Sequence, residues 1–170
     1  KINETCEKHF YLFNTLGMTG MWSERKTKHS RFCFFFDDES ILYFNDIRSF
    51  GTLKFVYSKK DLDKKLKSLG PDILNETVEW QEIKDACISK HNKTIAECLM
   101  NQSVVSGVGN YLKAEILYAS KVSPHRLIKN ITNKEWEVLG KNTLKISRLS
   151  YSVGGATIAT YRQPNGEEGL

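Results

Sequence analysis

Gly70-Pro71 divides this sequence into two stretches with different periodicities. Proline has no backbone N–H and a fixed φ, so no helix begun before residue 71 runs through it. Upstream lie short aromatic and β-branched runs separated by turn residues. Phe10-Tyr11-Leu12-Phe13 reads as a strand, Arg31 to Phe36 and Ile41 to Phe44 as a hairpin closed by Asp37-Asp38-Glu39-Ser40, and Gly51 to Tyr57 as a further strand. Ser58 is placed to cap a short lysine-rich helix that ends at Gly70. These signals predict a β-rich portion over residues 1–72 and a helical portion over 73–170.

Downstream, apolar residues recur at three- and four-residue intervals. A first helix is expected from Thr94 through Ser103. A second runs from Asn110 to Ser120, with Leu112, Ile116 and Ala119 on one face. The third opens on the capping box Thr132-x-x-Glu135, carries Trp136, Leu139, Ile146 and Leu149 on one face, and stops at Gly154-Gly155. The fold class is α+β, strands first and helices second.

Composition narrows the function. With 40% hydrophobic and 26% charged residues the chain is globular, and no apolar run approaches the ~20 residues of a membrane helix. The formal charge of +5 suits a polyanionic partner. Cys6, Cys33, Cys87 and Cys98 form no C-x-x-C pair and have no histidine at zinc-ligand spacing, so this stretch encodes no zinc site and no disulfide framework. Such thiols fit an intracellular, reducing compartment. The start at Lys1 and the end at Gly169-Leu170 read as an excerpt of a longer protein. Lys59-Lys60 and Lys64-Lys65 read as a solvated helix face.

The segment richest in chemistry is Asn101-Gln-Ser-Val-Val-Ser-Gly107-Val-Gly109-Asn110. Two glycines just before a helix bring backbone N–H groups close to an anion, phosphate first among candidates. A second reading needs no ligand: the glycines permit a tight corner and Asn110 caps the helix.

The wording Leu99-Met-Asn-Gln102, Val105-Ser-Gly-Val-Gly-Asn110, Glu115-Ile-Leu and Ser123-Pro124 resembles the helix–two-turn–helix segment of the formamidopyrimidine-DNA glycosylase and endonuclease VIII family. Leu16-Gly-Met18-Thr19-Gly20 is similar to the family's H-L-G-M-[ST]-G, and Asp46-Ile-Arg48-Ser-Phe50-Gly51 to its D-x-R-x-F-G. Gly154-Gly155-Ala-Thr157 and Gln163-Pro-Asn165-Gly166 are similar to its G-G-T-T helix end and the loop beyond.

The resemblance implies the central portion of that fold: an incomplete β-sandwich, then a helical helix–two-turn–helix domain, with a DNA-binding finger after Leu170 whose zinc content this stretch does not encode. It implies a monomeric base-excision repair glycosylase with AP lyase activity, acting on double-stranded DNA with oxidised bases or abasic sites, where DNA is repaired in nucleus or cytoplasm. A flipped-out base leaves a hole in the stack that must be filled. The resemblance assigns that to Met18, Arg48 and Phe50, where the residues alone would put Met18 and Phe50 in the core, and phosphate contact to Gly107, Gly109 and Asn110. Chemically, a thin apolar side chain and a ring can fill the hole while a guanidinium donates to the orphaned base. Glu115 reads as an internal hydrogen-bonding group fixing the two helices, ahead of a catalytic role; Lys113 and Arg126 as phosphate contacts or solvated charges.

Two positions depart from the family: Thr15 stands for the histidine of H-L-G-M, and Ala96 for a lysine frequent in bacterial formamidopyrimidine glycosylases. The family's nucleophile, an N-terminal proline amine, is expected upstream of Lys1, and Lys1 itself reads as part of a hairpin loop. The wording is nearer the endonuclease VIII-like branch, which favours oxidised pyrimidines. The alternative is a non-catalytic helix–two-turn–helix module that only binds nucleic acid; it has no need of the L-G-M and R-x-F segments.

Overall fold

The computed structural model describes residues 9–17 and 19–154. Two compact units divide the chain, Lys1–Lys65 and Leu66–Leu170. Among the described residues no helix is long and apolar enough to cross a membrane.

The first unit carries five strands: β1 (Tyr11–Thr15), β2 (Gly20–Ser23), β3 (Ser30–Phe35), β4 (Ile41–Asp46) and β5 (Thr52–Val56). β1 pairs antiparallel with β5, and β4 lies between β2 and β3. The expected hairpin is β3–β4. Its turn closes because Asp38 Oδ1 accepts from the backbone N–H and the hydroxyl of Ser40, while Glu39 takes the left-handed conformation at φ 66°. β2 is a strand that sequence reading passed over. Only four residues long, it draws its order from pairing with β4, Trp22 opposite Phe44.

Period-two alternation puts Phe32 and Phe34 of β3 on one face. Phe34 lies 4.9 Å from Phe32 and 5.7 Å from Trp22, ring centroid to centroid, and Phe55 of β5 lies 5.7 Å from Phe32. Rings therefore bridge the two small sheets, each offset or edge-on pair adding about 0.5–1.5 kcal/mol beyond area burial. Phe44 and Val56 are the buried apolar residues described in this unit.

α1 (Lys59–Lys67) spans the division between units; it starts after Ser58, ends short of Gly70 and buries no residue. The second unit holds α2 (Trp80–Ile88), α3 (Ile95–Met100), α4 (Asn110–Ser120), a short 3-10 turn (Ile128–Asn130) and α5 (Asn133–Ser152). Thr94 and Thr132 cap α3 and α5, each hydroxyl accepting from the N–H three residues on while Glu97 or Glu135 reaches back. The core lies where α5 meets α2 and α4, around Ile83, Leu99, Val105, Ile116 and Leu139, each fully buried. Cys87 and Cys98 belong to it, and burial pushes the Cys87 thiol up to about 12.

Several expectations need correction. α3 ends at Met100, not Ser103, because Asn101 turns the chain out of helix and its Oδ1 accepts from the N–H and hydroxyl of Ser103. On α4 Leu117 is buried where Ala119 was expected, and on α5 Leu149 is exposed; the inward stripe instead passes through Trp136, Leu139, Gly140, Thr143 and Ser147. The end of α5 falls where expected, at Ser152, with Val153 and then Gly154 at φ 77° taking the chain out of the helix. α2 was not expected.

Candidate nucleic-acid interface

In the second unit, the link between α3 and α4 is a turn held by its own residues and by backbone hydrogen bonds to the Gly70–Ile73 segment, where Gly70 N donates to Gln102 O, Ser106 N to Pro71 O and Ile73 N to Ser106 O. Asn101 C=O accepts from the N–H groups of Val104 and Val105, and Val104, Val105 and Val108 point into the core. The Gln102 amide closes the turn from outside, with Nε2 donating to Val108 O at 2.8 Å and Oε1 accepting from Gly107 N at 2.9 Å. One of the two glycine N–H groups expected to meet an anion is therefore already satisfied by protein.

The two glycines do different things. Gly107 sits at φ 97°, and a Cβ there would lie 3.0 Å from Ile73 Cγ1, so both conformation and space demand glycine. Gly109 is the N-cap of α4 in extended conformation, and a Cβ there would meet nothing within 4 Å. Beyond it α4 opens with the exposed Asn110, at a helix N-terminus whose dipole favours an anion. Asn110 is the first helical residue and not the cap. It is exposed, and its Oδ1 accepts from Lys113 Nζ, which puts an ammonium beside the open helix end.

Glu115 is exposed, so the internal hydrogen bond expected of it gives way to an outward-facing carboxylate. Arg126 has partners within the protein: Nη1 donates to Asn130 O at 3.1 Å and lies 3.3 Å from Glu135 Oε1, bracing the start of α5. This pair is half exposed and adds little to stability. The Arg148 guanidinium, unmarked by the sequence reading, donates to the carbonyls of Ile73, Asn75 and Val78 and so fixes the loop ahead of α2.

In the first unit, Arg48 and Phe50 occupy the turn between β4 and β5. Phe50 is 62% exposed, and the Arg48 guanidinium carbon sits 4.8 Å above its ring centroid. Met18 lies outside the described residues, as do the segments matched from Gly155 onward. Behind the turn stands Asp46, 1% exposed, whose carboxylate accepts from Thr19 Oγ1 at 2.6 Å and Gly51 N at 2.7 Å. Arg31 Nε donates to the Asp46 carbonyl at 3.1 Å. The sequence marked Asp46 and Thr19 only as letters of two motifs; their pairing needed the structure.

The Thr19 hydroxyl, then the Gly51 N–H, hold the Asp46 carboxyl below its usual range against the opposing effect of burial, with the Arg48 N–H assisting. A folded-state value below the unfolded one stabilises the fold above the unfolded value and loses that contribution as pH falls through the folded one. Trp22, whose Nε1 donates to Asn14 Oδ1 at 3.0 Å, reports on this unit. Its fluorescence is expected to hold steady from neutrality down to about pH 4 and to change only below, since unperturbed Asp titrates near 3.9. A transition centred near pH 6 contradicts the assignment.

Among the described residues no group of three or more His, Cys, Asp or Glu side chains is arranged to hold a metal ion. Residues 69–162 match the formamidopyrimidine-DNA glycosylase H2TH domain. The chain belongs to the formamidopyrimidine-DNA glycosylase and endonuclease VIII family. It is 38% identical over 143 residues to the formamidopyrimidine-DNA glycosylase of Ureaplasma parvum serovar 3, covering 84% of this chain and 52% of that protein. With the Prochlorococcus marinus enzyme of the same name it shares 32% over 174 residues, 98% of this chain and 59% of that protein. The solved structure of Thermus thermophilus MutM (Fpg) superposes with a TM-score of 0.82 at 29% identity, over 96% of this chain and 62% of that one. Lactococcus lactis Fpg, solved in complex with DNA containing an abasic site, gives 0.76 at 25% identity over 89% and 58%. The chain thus spans between 52% and 62% of the length of these relatives.

Proposed function

We propose that the full-length protein is a base-excision repair enzyme, a bifunctional DNA glycosylase and AP lyase that acts as a monomer on double-stranded DNA and removes oxidised bases, pyrimidines ahead of purines. The observation that carries this reading is the β4–β5 turn. It presents an arginine and a phenylalanine outward as a stacked pair, with Phe50 62% exposed over a buried carboxylate that holds the turn. A solvent-exposed ring backed by a guanidinium serves no core, and it suits the hole left by a flipped base. Met18 joins them on the strength of the family wording, and Gly107, Gly109 and Asn110 form the phosphate grip. A module that binds only phosphate has no use for the first group.

In this reading the N-terminal amine of the full-length protein forms a bond to C1′ as the glycosidic bond breaks and the base departs with a proton. Loss of the amine's proton and ring opening give the imine, and removal of a C2′ proton then expels the 3′ phosphate. The pyrimidine preference rests on the wording of Leu99 to Leu117, nearer that of the endonuclease VIII-like branch; Thr15 and Ala96, where the chain departs from the family, favour no particular substrate.

The test is single-turnover excision by the full-length protein from duplexes carrying thymine glycol, 5-hydroxyuracil, formamidopyrimidine or 8-oxoguanine, with borohydride trapping on abasic DNA. Faster pyrimidine excision with a trapped adduct is expected. The reverse order moves the protein to the purine-directed branch, and binding without excision or trapping leaves the non-catalytic module. Asn110→Ala is expected to weaken damaged and undamaged duplex alike, by about 1 kcal/mol at fixed salt. Unchanged dissociation constants for both count against the grip.

A further inference from the structure

Asp46 ends β4 and is opposite Gly20 in the register with β2, a pairing made by backbone groups and requiring no carboxylate. Yet its side chain is buried and takes donors from two separate turns. Oδ1 accepts from the Thr19 hydroxyl at 2.6 Å and from Arg48 N at 3.2 Å; Oδ2 accepts from Gly51 N at 2.7 Å. Thr19 belongs to the β1–β2 turn, Arg48 and Gly51 to the β4–β5 turn. The Thr19 oxygen also accepts from Arg48 N at 3.2 Å. The turns lie close enough that a Cβ on Gly17 would stand 3.4 Å from the Phe50 backbone carbon. Ser49, between Arg48 and Phe50, adopts φ 56°, a left-handed conformation that a non-glycine residue keeps only when its surroundings impose it.

We propose that Asp46 is a positioning residue that locks the β1–β2 and β4–β5 turns together through Thr19, so that Arg48 and Phe50 meet DNA in one fixed direction. An ionised carboxylate accepts on both oxygens and donates nothing, which suits a site where hydroxyl and backbone N–H groups converge. An asparagine turns an NH2 toward one of those donors. The coupling rests on the reading of Arg48 and Phe50 as the pair that enters DNA. It adds that their direction is set from the neighbouring turn, by a hydroxyl that itself need not touch the substrate.

The decisive variant of the full-length protein is Thr19→Val, which removes one hydroxyl, keeps the side-chain shape and leaves Asp46 its backbone donors. It is measured beside Thr19→Ser, Asp46→Asn, Phe50→Ala and the double variant Thr19→Val/Phe50→Ala. The readouts are excision from an intact lesion duplex, cleavage at a preformed abasic site, fluorescence of 2-aminopurine opposite the lesion, and melting temperature. Thr19→Val is expected to slow excision roughly tenfold, the loss typical of a hydrogen bond to a charged group, and to blunt the 2-aminopurine signal. Abasic-site cleavage stays near the parent rate, melting temperature falls modestly with the lost hydrogen bond, Thr19→Ser restores both melting temperature and excision, and Thr19→Val adds little to the excision loss once Phe50 is Ala.

Equal loss in both reactions with a lower melting temperature gives Thr19 and Asp46 a purely structural role and overturns the proposal. So do independent, multiplicative effects of Thr19→Val and Phe50→Ala. Phe50→Ala slowing excision while Thr19→Val does not defeats the coupling alone. Phe50→Ala sparing excision defeats the reading beneath it.

Discussion

Phe50→Ala in the full-length protein is expected to slow excision from an intact lesion duplex by about 10–100-fold while cleavage at a preformed abasic site changes little, because a ring with the proposed role acts only where a base must be unstacked at a cost of a few kcal/mol. Exposure makes the measurement clean. At 62% exposed, the ring fills no cavity in the protein, so its removal should leave melting temperature almost unmoved. A buried phenylalanine costs about 3–5 kcal/mol on truncation and would depress both reactions together. Arg48→Ala, which takes the guanidinium from above the ring, should follow the same pattern and also relax preference for the base opposite the lesion. Parallel melting curves and single-turnover rates on the two substrates separate the outcomes, and equal losses with a fallen melting temperature defeat the wedge.

Trp136→Ala should produce the largest loss of stability, about 3–5 kcal/mol. Trp136 is 2% exposed in the first turn of α5, within the core that α5 forms with α2 and α4. Refilling of the hole is opposed by close packing nearby: a Cβ on Gly140, one turn further on, would stand 2.8 Å from Trp80 Cβ. Such a loss is a large share of the 5–15 kcal/mol that holds an ordinary domain together. Urea unfolding followed by far-ultraviolet circular dichroism checks it, and a loss under about 1 kcal/mol contradicts the packing described.

What was legible in the sequence follows physical lines. α4 and α5 were placed to the residue at their starts because Gly109-Asn110 and Thr132-x-x-Glu135 are strong local signals. α2 was missed although Trp80, Ile83 and Cys87 recur at helical spacing, since its first turn is closed by Glu82 accepting from Glu79 N, without a serine or threonine to announce it. β2 was missed because four residues beginning with glycine carry almost no pattern, and pairing with β4 makes the strand. At the interface, Arg48, Phe50 and Asn110 could be picked out by motif. The uses of Asp46 and Gln102 could not, since both act by joining residues that spacing keeps apart. The pairing of Arg126 with Glu135 was likewise invisible to spacing, since it joins the loop after α4 to the first turn of α5.

The Gln102 amide has a thermodynamic consequence. By donating to Val108 O and accepting from Gly107 N, it freezes the link between α3 and α4 during folding, before any ligand arrives. Ordering a backbone residue costs about 1–2 kcal/mol of chain entropy, and a link already rigid does not incur that cost again on meeting DNA. Phosphate contact at α4 should then carry a small heat-capacity change and a large salt dependence, the signature of ion exchange on a preformed surface and not of coupled folding.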